Sequence, residues 1–121
     1  MDNGMVGPAG AIPTRADLIE YGVLVDVPAP VARAAGITVP VAFSAPAWQT
    51  YVGDEPEGQL PAVLAAVVRS LTRAPHAESL VITGAPTVSG QPALSHEQLH
   101  GEAHPGDAGE PALLLLLPGD Y

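Results

Sequence analysis

The sequence predicts an α+β domain: one small, mainly antiparallel sheet with a C-terminal hairpin, covered on one face by helices that include a long apolar helix at about 60–72. Three observations carry this. Leu60, Val63, Leu64, Val67, Val68 and Leu71 recur at steps of three and four and form one apolar stripe on a helix. Short apolar runs at 23–27, 80–83 and 112–117 have strand length and are bounded by Gly or Pro. Gly106-Asp107-Ala108-Gly109-Glu110 is turn chemistry placed to close a hairpin onto the last of those runs.

Taken in order, residues 1–13 lack any period and read as a flexible arm, leaving 14–121 as a single domain. Thr14 can cap a helix over 15–21, with Asp17 in its first turn and Gly22 as its stop. Val23–Val27 reads as a strand ended by Pro28 and Pro30, and 31–35 as a helical turn closed by Gly36. An extended segment over 37–43 contains Pro40, which cannot donate to a ladder, so the strand must lie at an edge or break there. Ser44 is a second N-cap, with Pro46 in the first turn of a helix carrying Trp48 and Tyr51. An acidic loop over 53–58 precedes the striped helix, whose last turns carry Arg69 and Arg73. Leu80–Thr83 reads as a buried strand. The run Ala112–Leu117, short and bounded by Pro, reads as a central one.

Composition narrows the function. Thirteen acidic residues face four basic ones, all arginine, for a formal charge of −9. Binding to a nucleic-acid backbone or an anionic membrane surface needs clustered cations that this chain lacks. Without cysteine there is no disulfide, thiol nucleophile or thiolate metal site. No secretory pattern is visible, and the apolar run at 112–117 is too short for a bilayer, so a cytoplasmic location is expected. Fourteen prolines and thirteen glycines fall mostly between patterned segments, where they act as punctuation rather than as a signature of disorder.

His96-Glu97-Gln98-Leu99-His100 matches H-E-x-x-H. On a helix, His96 and His100 share a face and can hold zinc, while Glu97 activates a bound water, which defines a zinc-dependent hydrolase as an alternative. A third ligand is needed. His104 would sit eight residues from His96, about 12 Å along a helix, so the three cannot meet at one ion. As a strand, the same residues put His96, Gln98, His100, Glu102 and His104 on one face and Leu99, Gly101 and Ala103 on the other, a polar-out alternation leading into the turn. That reading, with no metal or cofactor, is preferred. Serines lack a G-x-S-x-G context, and no glycine-rich phosphate cradle occurs.

Several segments together resemble a family of uncharacterised short proteins encoded by phages and plasmids of bacteria, mostly actinobacteria. The resemblance is carried by Thr14-Arg15-Ala16, Gly22-Val23-Leu24-Val25-Asp26-Val27, Ala34-Ala35-Gly36-Ile37, Pro40-Val41-Ala42 and Trp48. It continues at Gly106-Asp107-Ala108-Gly109-Glu110-Pro111 and Leu117-Pro118-Gly119-Asp120. It transfers no catalytic residue. It implies an accessory protein of a mobile element, with strand-like sequence where HEQLH stands.

The expectation is therefore a small acidic, non-enzymatic interaction protein that binds a basic surface on a host nucleic-acid-handling or defence protein, as inhibitor or modulator. Its binding surface is drawn from Asp54, Glu55 and Glu57, with Asp107, Glu110 and Asp120 near the hairpin. Alongside the hydrolase, the remaining alternative is a structural phage protein that forms a homo-oligomer through its leucine-rich strand and valine- and alanine-rich helix.

Overall fold

The computed structural model describes residues 14–120, with the backbone only of Asp120; the arm expected at 1–13 lies outside the described residues. Four helices and five strands follow in the order α1 (Arg15–Glu20), β1 (Leu24–Asp26), α2 (Ala29–Ala34), β2 (Val41–Ser44), α3 (Ala45–Tyr51), α4 (Pro56–Arg73), β3 (Ser79–Val81), β4 (His100–Ala103) and β5 (Leu113–Leu116). The fold is α+β, built on one mixed sheet of order β1-β2-β5-β4-β3.

Local chemistry explains most boundaries. Thr14 Oγ1 accepts from Asp17 N at 3.0 Å and Asp17 Oδ2 accepts from Thr14 N at 3.1 Å, a reciprocal cap that starts α1. Gly22, at φ 78°, takes the left-handed conformation that ends it. Ser44 Oγ accepts from Ala47 N at 3.2 Å and starts α3. Pro40 breaks the extended segment: the strand begins only at Val41, and the Pro40 carbonyl, the group proline retains, accepts from Leu113 N at 2.8 Å.

The sheet joins two antiparallel pairs through one parallel ladder. β1 pairs with β2 and β3 pairs with β4, each antiparallel, and β5 lies between them, parallel to β2 and antiparallel to β4. The leucine run thus forms the central strand, and the 104–112 connection closes a hairpin, with Gly106 N donating to the Glu110 carbonyl at 2.7 Å. Val41, Phe43, Leu113 and Leu115 alternate onto one sheet face and meet Tyr51, Leu60, Val63, Leu64 and Val67 from α3 and α4. Phe43 and Trp48 pack edge to face, with ring centroids 5.5 Å apart and planes at 85°. Next to β1, α1 is tied by an Arg15–Asp26 ion pair of 3.5 Å.

Two local expectations are corrected. The acidic segment is not wholly a loop: α4 starts at Pro56, so Glu57 lies in its first turn, and proline at N1 with an acid behind it is a helix start. That helix carries the expected apolar stripe on one face only. Val63, Leu64 and Val67 are buried while Pro61, Ala62, Arg69 and Thr72 face outward. The strand near Leu80 is an edge strand with exposed ends, Ser79 and Val81, because its pairing partner lies on one side only. Its buried neighbour Ile82 follows the strand and donates its N–H to the Leu99 carbonyl at 2.8 Å.

Candidate functional site

The HEQLH segment does not form the helix that its metal reading requires. A 3-10 turn covers Ser95–Glu97, Gln98 is extended at φ −67° and ψ 130°, and β4 starts at His100. The continuous strand expected from His96 is likewise corrected to one that starts four residues later. Two histidines four apart on a helix are offset by about 6 Å along the axis, whereas an extended chain advances about 3.3 Å with every residue. His96 is exposed on the turn and His100 half-buried in the sheet. The Glu97 carboxylate accepts from Leu94 N at 3.1 Å, which fixes the turn. Among the described residues, no three His, Cys, Asp or Glu side chains are grouped as metal ligands.

Glu97 has a structural connection that its sequence context does not reveal. Its backbone carbonyl accepts from the Tyr51 hydroxyl at 2.6 Å, tying the 95–97 turn to the end of α3. Burial raises the Tyr51 phenol above its ordinary value, with the Glu97 carboxylate adding to the shift and backbone hydrogen bonding opposing it.

The six acidic residues expected to form a binding surface divide into two groups. Asp54, Glu55 and Glu57 stand at the junction of α3 and α4. All three are exposed, and no basic side chain among the described residues pairs with them. The backbone beneath is well held. Trp48 Nε1 donates to the Gly53 carbonyl at 3.1 Å, and Gln59 Nε2 donates to the Tyr51 carbonyl at 3.0 Å and the Pro86 carbonyl at 3.2 Å. Gly53 itself needs its left-handed φ of 63° to turn the chain from α3 into this corner.

Asp107 and Glu110 stand in the hairpin turn and are already engaged. Asp107 receives hydrogen bonds from Arg15 N at 2.7 Å and Ala16 N at 3.2 Å, the first N–H groups of α1. Glu110 folds back over Gly106 and accepts from Ala108 N at 3.2 Å. The Asp120 side chain lies outside the described residues. Glu57 borders a hollow beside β1, while Glu110 borders one with Glu78 and His104 near β3 and β4. The two groups thus differ in engagement: Asp107 and Glu110 accept from the chain's own N–H groups, while Asp54, Glu55 and Glu57 have no basic partner among the described residues.

Sequence reasoning missed an apolar trough beside the first group. Val25, Val31, Trp48, Leu60 and Pro61 line a hollow of about 550 Å³ with Glu57 and Asp26 on its rim. Val31 and Pro61 also line a second hollow, about 570 Å³, with Pro30, Ala34, Ala35 and Ala65. Its walls come from α2, α3, α4 and β1, so no local pattern could have revealed it.

No protein-family model, curated protein or solved structure matches this chain. Among the described residues, no helix is long and apolar enough to cross a membrane.

Proposed function

We propose that this chain is a small acidic, non-enzymatic interaction protein of mobile-element origin, acting in the cytoplasm on a basic surface of a host nucleic-acid-handling or defence protein. The observation that carries the reading is the corner at Asp54, Glu55 and Glu57: three exposed carboxylates, free of basic partners among the described residues, on a backbone fixed by Trp48 and Gln59. Of the few cations that could neutralise such a surface, Arg15 is held by Asp26 and Arg73 donates to Thr83 Oγ1 at 3.2 Å. A preset patch of this sign attracts a cationic groove at long range and competes there with nucleic acid.

The test is inhibition of purified actinobacterial DNA-cleaving defence nucleases, assayed at about 50 and 200 mM salt, a span over which the screening length shortens markedly. Cleavage should be inhibited by the parent at low salt and restored by salt or by the combined Asp54→Asn, Glu55→Gln, Glu57→Gln substitutions. Inhibition indifferent to both would remove the electrostatic basis of the proposal.

A further inference from the structure

The two adjoining hollows form one trough between α2 and α4, and its walls are nearly all apolar. Val25, Val31 and Trp48 are only half-buried, while Pro30, Ala34 and Pro61 are exposed. Volumes of this size are typical of ligand pockets. A small-molecule site, however, carries several convergent polar groups, and this trough has polar chemistry at one end only. There Asp26 is already paired with Arg15, which leaves Glu57 as the free carboxylate.

Shape and charge then define the occupant. From Glu57 to Ala65, α4 rises about 12 Å at 1.5 Å per residue, which matches two turns of a second helix. Ala34, Ala35 and Ala65 keep the far end shallow, so a helix backbone can approach closely, and the space beside Trp48 and Leu60 accepts a larger apolar side chain. Pro61 has no N–H to offer the Glu57 carbonyl four residues before it, so that carbonyl lacks its usual helical donor. A second copy of this chain would bring −9 against −9, which disfavours it as occupant at low salt.

We propose that the trough between α2 and α4 receives about two turns of a cationic amphipathic helix from the partner protein, its apolar side chains over Val31, Leu60 and Pro61 and a Lys or Arg against Glu57. The inference rests on the acidic-surface reading and supplies it with a place and a partner geometry.

Trp48 is the chain's single tryptophan and lines the trough, so its emission reports occupancy directly. The probe is a 14-residue amphipathic peptide of leucine and lysine, titrated beside a leucine–glutamate peptide with the same apolar pattern. The expected result is a saturable blue shift with the lysine peptide alone. Ala34→Gln, at an exposed position on α2, should weaken binding at least about tenfold by filling the trough, and Glu57→Gln about threefold, as loss of an interface charge does. Lysine-peptide binding that ignores Ala34→Gln but falls with Asp54→Asn and Glu55→Gln would overturn the trough and leave the acidic-surface reading standing. Equal binding of both peptides would overturn the charge argument beneath both proposals. Binding of neither peptide would overturn the trough inference, and a doubled mass by sedimentation that Ala34→Gln returns to the single-chain value would then assign the trough to a second copy.

Discussion

The α3–α4 corner and the β4–β5 hairpin turn are both short, acidic and exposed, yet their carboxylates are used differently. In the hairpin, Asp107 caps the N-terminus of α1 from 92 and 91 residues away, and Glu110 closes its own turn. In the corner, the three carboxylates have no basic partner among the described residues, and the side chains of Trp48, Gln59 and Tyr51 hold the backbone instead. Exposure and formal charge are therefore a poor guide to which acid is available to a partner. What matters is whether the carboxylate oxygens already accept from the chain's own N–H groups.

The largest expected effect falls on the hairpin side of this contrast. Asp107→Ala should lower stability by about 1–2 kcal/mol, read from urea midpoints, because the substitution uncovers two helix N–H groups. Asp107→Asn, which keeps one acceptor oxygen, should recover part of that loss. If Asp107→Ala is as silent as a corner substitution, the division between the two regions fails.

Next comes the root of the corner. Tyr51→Phe leaves the Glu97 carbonyl without its hydroxyl donor and should cost about 1 kcal/mol at neutral pH. It also has a signature in pH. Because the folded phenol titrates above the unfolded value near 10, the neutral form favours the folded state. That contribution is complete below the unfolded value and is lost as pH rises through the folded one. Stability measured from pH 9 upward should therefore fall more steeply in the parent than in Tyr51→Phe.

Smaller effects sharpen the comparison. Glu110→Ala removes one exposed turn contact and should cost no more than about 0.5 kcal/mol by thermal melting. Smallest of all, Asp54→Asn, Glu55→Gln and Glu57→Gln should each leave stability within about 0.5 kcal/mol of the parent, while together they abolish salt-sensitive inhibition. A substantial stability loss in that set would show the corner to be structural, like the hairpin.

What was legible in the sequence follows from the range of the interaction involved. Thr14, Gly22, Ser44 and Pro40 act on their immediate neighbours, and each sets the boundary its chemistry predicts. The leucine run is recognisable as a central strand because a strand buried on both faces has no polar alternation. Leu80 and Val81 have similar composition but lie at the sheet's edge, a matter of pairing rather than local pattern. Pro56 and Glu57 carry a helix-start signal that Gly58 and the later onset of the apolar stripe obscure. The role of Asp107 and the trough under Trp48 depend on residues far apart in sequence, and one chain shows no trace of such meetings.

The central position of β5 also bears on the order in which the molecule assembles. Leu113 pairs with Val41, 72 residues earlier, and that parallel ladder joins the two antiparallel pairs. During synthesis β5 emerges after every strand it connects, so β2 waits with an unpaired edge and uncovered Val41 and Phe43 while most of the chain is made. Closing so long a loop before the reward of pairing slows folding and lengthens the interval in which such an edge can find another chain. Without β5 the two antiparallel pairs would stay separate ladders with an open hydrophobic seam, so a single strand decides whether there is one sheet or two.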